Sequence, residues 1–127
     1  MNTFELVSQY KLAWDNLEIL QLDNCLHENF EYGSQMVLTN IYGKENYLEY
    51  IKAKFLTIKN SGDNIVAQIG KFNDQYCLLI TQKEKTIITS QTITRKGILL
   101  LEFNGGLISK AHMCSIAPTE HDIEILL

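Results

Sequence analysis

The chain is poor in everything that holds a small fold together from outside. It has one proline and three cysteines among 127 residues, so neither a proline-rich extended segment nor a disulfide framework organises it. Cys25, Cys77 and Cys114 are widely spaced and odd in number, which points to reduced, buried thiols and a cytoplasmic protein. No run of Lys or Arg is present, and the net charge is -4, so neither a nucleic-acid backbone nor an anionic membrane surface is an expected partner. The longest apolar run, Gly97 to Leu101, is far too short to span a bilayer. MNTFELVSQYKL lacks the basic and apolar regions of a signal peptide.

What is present is apolar patterning: 46% of residues are hydrophobic and 20% charged, enough for one domain over residues 1–127 with a real core. The stretch Tyr32 to Gly62 is the organising one. In it Tyr47, Leu48, Ile51, Phe55 and Ile58 recur at helical spacing, while Glu45, Glu49, Lys52 and Lys59 fall largely off that stripe. Such a helix buries one face and needs a sheet to lie on. Gly43 opens it, and Gly62 can close it in the left-handed conformation.

Upstream, Asn2 and Glu5 have the spacing of a capping box, and Leu6, Tyr10, Ala13, Trp14 and Leu17 mark one face of a first helix. A break near Asn16 and a second short helix carrying Ile19, Leu20, Leu22, Cys25 and Leu26 are expected next. From His27 the pattern turns extended through Phe30, Tyr32 and Met36 to Tyr42, with Gly33 and Ser34 as a turn or kink. After Gly62 come β segments at Ile65–Phe72, Tyr76–Gln82, Thr86–Arg95, Ile98–Phe103 and Leu107–Ile116. Asn73-Asp74, Lys83-Glu84-Lys85, Lys96-Gly97 and Asn104-Gly105-Gly106 supply the turns. Pro118 ends the sheet, and Thr119 to Leu127 is a last strand or a docked arm.

Helices first and consecutive antiparallel strands afterwards describe an α+β domain with its helices on one sheet face. Cys77 to Ile80 and Ile98 to Leu101 are apolar on both faces, so the outer face wants a partner as well. A homodimer through that face is the economical expectation, and a protein-interaction domain the broader one.

Three stretches resemble the NTF2-like superfamily, also known as SnoaL-like or ketosteroid isomerase-like, in order and spacing. They are Tyr10-Lys11-Leu12-Ala13-Trp14-Asp15, then Asn29-Phe30-Glu31-Tyr32-Gly33-Ser34 leading to Ile41-Tyr42-Gly43-Lys44-Glu45, and Leu101-Glu102-Phe103-Asn104-Gly105-Gly106-Leu107-Ile108. The resemblance implies a cone: N-terminal helices on a strongly curved antiparallel sheet (the cystatin-like α+β fold), with a pocket inside and frequent dimers. Its isomerases use an Asp base and an oxyanion hole of a Tyr and a protonated Asp. Tyr10 falls at that Tyr, but Gly33 and Leu99 stand where the carboxyl groups would be. A register slip of one residue would put Tyr32 or Ser34 at the first position, and neither is a carboxylate base.

Pocket candidates are therefore aromatic and apolar: Tyr10, Trp14, Tyr32, Phe55 and Met113, suited to a small apolar ligand. The plainer alternative is that the rings only pack helix on sheet. Candidate acid-base groups are Tyr10, Glu31, Glu102 and His112, with Asp23 beside them, although most carboxylates are solvated surface groups. Cys25 with His27 and His112 with Cys114 have two-residue spacing, but nothing brings the four together, so no metal site and no cofactor are expected. Two functional readings follow: a small-molecule binding protein without the isomerase carboxylates, or a lyase, cyclase or isomerase acting on a hydrophobic substrate through an unplaced acid-base group.

Overall fold

The computed structural model describes residues 1–35, 39–85, 92–115 and 123–127. Helix α1, Thr3–Asn16, starts on the expected capping box: Asn2 Oδ1 accepts from the Glu5 N–H at 2.8 Å, and Glu5 Oε1 accepts from the Asn2 N–H at 3.4 Å. It buries Leu6, Val7, Tyr10, Ala13 and Trp14 and stops where Leu17 turns left-handed at φ 53°. The break near Asn16 is thus real, but no second helix follows it. Residues 19–25 are turns, held by Leu22 N–H to the Ile19 carbonyl and Cys25 N–H to the Leu22 carbonyl, both 2.9 Å. The apolar residues there share no helical face: Leu22 is buried while Leu20 is 80% exposed.

Strand β1 spans Leu26–Ser34, β2 is Ile41–Tyr42, and α2 is Lys44–Ser61. Gly33 is not a turn but lies inside β1. A Cβ there would sit 2.8 Å from His112 Nδ1, so the glycine admits the histidine ring against the strand. Of the extended segment expected over Met36–Tyr42, Ile41 and Tyr42 are strand, and Met36, Val37 and Leu38 lie outside the described residues. Helix α2 buries the predicted stripe of Tyr47, Leu48, Ile51, Phe55 and Ile58 and ends at Gly62 with φ 75°.

Strands β3 (Asn64–Phe72), β4 (Gln75–Lys85), β5 (Thr92–Asn104) and β6 (Leu107–Ser115) form an antiparallel meander. Asn73-Asp74 and Gly105-Gly106 turn two of its corners with positive φ, as their residue types require. The other two expected turns do not exist. Lys83-Glu84-Lys85 continues β4, pairing with Thr94, Ile93 and Thr92. Lys96-Gly97 lies inside β5, where a Cβ on Gly97 would come within 2.9 Å of Met113 Sδ. Close packing explains that glycine, and one strand replaces the two expected; residues 86–91 lie outside the described residues.

The sheet order is β2-β1-β6-β5-β4-β3-β7, with β7 being Glu124–Ile125. The tail is therefore a last strand on β3; Ile116 and Pro118, where the sheet was expected to end, lie outside the described residues. One pairing departs from the all-antiparallel expectation: β1 and β6 run parallel. No hairpin joins them, and a connection containing α2 and strands β3 to β5 frees their direction. Helix α1 is tied down by Asp15, whose Oδ1 accepts from the Ala67 N–H of β3 at 2.9 Å while Oδ2 pairs with Lys11 at 2.5 Å.

The core fills the space between both helices and the concave sheet face, where Leu78, Ile80, Leu99, Leu101, Ile108 and Ala111 point. On the outer face Cys77, Leu79 and Ile98 are buried against Ile123, so the chain itself covers part of the surface from which pairing was inferred. Among the described residues no helix is long and apolar enough to cross a membrane.

Candidate functional site

The concave side has two parts. Between α1, β1 and α2 it is filled by rings. Tyr10 and Tyr47 share a short hydrogen bond between their hydroxyls, and both are fully buried. Tyr47 packs against Phe30 and Tyr32 at centroid distances of 4.7 and 5.2 Å, and Tyr32 against Tyr50 at 5.3 Å. Loss of water around them pushes the phenols of Tyr10, Tyr32 and Tyr47 well above the ordinary tyrosine range. For Tyr10 the hydrogen bond from Tyr47 works the other way, without reversing the rise.

Beyond Ser34 the concave side opens into a cavity of about 340 Å³. Its wall takes Trp14 from α1, Ser34 from β1, Lys54 from α2, Ile80 and Gln82 from β4, Arg95 to Gly97 from β5, and Met113 to Ser115 from β6. Strand alternation decides which side chains reach it. Arg95 pairs with Gln82, and Gly97 with Ile80, on the concave face; Lys96 and Cys114 send their side chains to the opposite face and contribute backbone. Gly97 leaves room for Met113 to lie across β5.

Trp14 is the aromatic wall. It is 2% exposed and stands edge-on to Phe55 at 5.0 Å, with Lys54 Nζ 5.8 Å from its ring centroid. Its indole N–H is buried and has no hydrogen-bond partner among the described residues. The polar groups nearby are tied to neighbours: Gln82 Nε2 donates to Asp63 Oδ2 at 2.7 Å, and Arg95 pairs with Glu84 at 3.2 Å.

The sequence candidates are thus separated. Trp14 and Met113 line the cavity; Tyr10 and Tyr32 belong to the ring cluster; Phe55 backs Trp14 and lines a smaller hollow of about 150 Å³ with Leu17, Ile19 and Leu56. Glu31, Glu102 and His112 all lie on the outer face. Glu31 accepts from Asn40 Nδ2 at 2.9 Å and lies 3.9 Å from Lys110 Nζ, Glu102 is exposed beside an open trough at the β3–β4 turn, and Asp23 pairs with Lys44 at the surface. The concave positions of β1 are Tyr32 and Ser34, with Gly33 facing out, which is the slipped register considered above. Cys25 donates to the Gln21 carbonyl at 3.1 Å, and His27 Nδ1 accepts from the Asn29 N–H at 3.0 Å. Among the described residues no three His, Cys, Asp or Glu side chains gather as a metal would require.

Ser34, Lys54, Gln82 and Arg95 were not anticipated as a group. Gln82 and Arg95 could have been matched by counting outward from a β4–β5 turn, had the fused strand been legible. Lys54 sits on the edge of the α2 stripe, and only the approach of α1 places it over Trp14.

No known protein-family profile matches the chain, and no curated protein does. Solved structures do. A cystatin-like protein of unknown function from Xanthomonas campestris superposes with a TM-score of 0.66 at 16% identity, covering 96% of each chain. An NTF2-like protein of unknown function from Cytophaga hutchinsonii gives 0.56 at 20% identity, over 89% of this chain and 88% of that one. A candidate polyketide cyclase from Xanthomonas campestris pv. campestris gives 0.62 at 11% identity, over 89% of each. Two helices clasped by a curved, mostly antiparallel sheet, superposing on these structures over most of the chain, give this chain the NTF2-like, cystatin-like α+β fold.

Proposed function

We propose that this protein binds a small, largely apolar molecule in the cavity walled by Trp14, Ile80 and Met113. One observation carries the reading: the concave side is not packed to its rim, and about 340 Å³ stays open beside a buried indole. That volume lies near the lower end of what small-molecule sites occupy. It is roughly twice the 150 Å³ that accommodates a benzene ring, which suits one substituted ring or two fused ones.

A lyase, cyclase or isomerase role has less support from the same wall. Among the described residues that wall includes no carboxylate and no imidazole, and the phenol of Tyr32 in the neighbouring ring cluster is held in its protonated form by burial, which makes it a poor base. Pairing of two copies over the outer sheet face belongs to the same proposal; exposed Val66 and half-buried Leu100 remain available to it. Three unpaired thiols, one of them Cys77 with its pKa pushed up to about 11 by burial, favour a reducing compartment such as the cytoplasm.

Native mass spectrometry of the protein as purified, at micromolar concentration, tests both parts. Added mass from a co-purified apolar compound and a dimer peak are the expected results. If no ligand is carried, titration with naphthalene derivatives decides. Trp14 is the sole tryptophan, so emission that stays unchanged up to millimolar compound overturns the binding reading. A monomer mass removes the dimer.

A further inference from the structure

We propose that the ligand of this cavity carries one negative charge, a carboxylate or its equivalent on a flat apolar body, and that Lys54 is its counter-ion. The inference rests on the binding reading above and adds the chemical class. Among the described residues two side-chain cations reach the cavity on its concave side, Lys54 and Arg95, and no acid lines it. Two acids that meet its polar side chains are already engaged: Glu84 holds Arg95 at 3.2 Å, and Asp63 accepts from Gln82 at 2.7 Å.

Lys54 differs from Arg95. Among the described residues no carboxylate pairs with it, and its ammonium lies over the Trp14 ring instead, 5.8 Å from the centroid. Helix α2 could have kept the charge in open water; here the half-buried stem brings it to the edge of an apolar hole. A partly desolvated cation without an acid attracts an anion more strongly than an exposed one does. The Trp14 N–H, without a partner among the described residues, is a second donor in the same wall, and Ser34 and Gln82 add polar groups at the rim. An acceptor-rich anionic head suits that set, and an ammonium head does not. The apolar body would lie along Ile80 and Met113 under the indole.

The test compares 2-naphthoate with 2-naphthamide, which share a ring system and differ in charge, by calorimetry and Trp14 emission at pH 7. The expected result is naphthoate binding about tenfold or more tighter than the amide, the value of one charge-assisted hydrogen bond. That preference should shrink as sodium chloride rises from low to high concentration, with amide binding unchanged. Lys54→Met keeps the stem and should bring the ratio to within about twofold, leaving amide affinity intact; Arg95→Met should reduce it less. Equal affinities in the unaltered protein overturn the charge assignment and leave the binding reading standing. A preference that survives Lys54→Met overturns the role of Lys54. If neither compound binds, the binding reading falls and this inference with it.

Discussion

The two halves of the concave side begin from similar materials and end differently. In one, aromatic rings from α1, β1 and α2 meet, and the Tyr10 and Tyr47 hydroxyls find each other. In the other, an aromatic ring of α1 meets the sheet, yet among the described residues its N–H has no partner and a lysine beside it has no acid. Satisfied polar groups make a core, whereas unsatisfied ones around an open volume make a place for something else. The difference is therefore one of hydrogen-bond completion rather than residue type.

Alkaline pH should break the filled half first, and most completely. Burial holds the phenols of Tyr10, Tyr32 and Tyr47 above the ordinary tyrosine value, so the folded chain keeps protons that the unfolded chain releases. Their contribution is fully present below about pH 10 and falls as pH rises beyond it, because ionisation then favours unfolding. Absorbance at 295 nm followed with circular dichroism should show these three phenols ionising only as the fold is lost. Early, reversible ionisation of all tyrosines in the folded protein would deny the cluster its dryness.

Substitutions at Tyr47 come next. Tyr47→Ala removes a fully buried ring in contact with Phe30 and Tyr32 and should cost about 3–5 kcal/mol in urea unfolding. Tyr47→Phe keeps the ring but strands the Tyr10 hydroxyl, costing about 1–3 kcal/mol. Adding Tyr10→Phe should return much of that loss, since two apolar partners leave nothing unpaired. Additive losses would mean that the hydroxyls do not act as a pair.

The smallest effect belongs to the open half. Trp14→Phe removes a donor that has no partner among the described residues, so the lost ring area is offset and stability should stay within about 1 kcal/mol of the starting value. A larger loss would show that the indole N–H is already satisfied in the free protein and would weaken the contrast between the halves.

The chain announces its local elements well. The Asn2–Glu5 capping box, the α2 stripe and the turns at Asn73-Asp74 and Gly105-Gly106 all appear where residue chemistry places them. What misleads is glycine with more than one use. Gly33 and Gly97 suggest turns in a linear reading, whereas a histidine ring and a methionine sulfur from β6 are what require them. Those neighbours are remote in the chain and become visible only through the β1–β6 and β5–β6 registers. The site shows the same limit. Trp14 and Met113 stand out as apolar candidates, but Lys54 reaches Trp14 across two helices and carries no local mark of doing so.

The Asp15 carboxylate has a consequence at the rim of the sheet. Along β3 the amides of Ala67, Ile69 and Lys71 face the side away from β4; the tail serves the last two positions, through the Leu127 carbonyl and the Lys71–Glu124 pairing. Ala67 is left to Asp15. One helix side chain thus stands in for a missing neighbour strand, leaving a passing chain no free amide at that position from which to start an unwanted extension of the sheet.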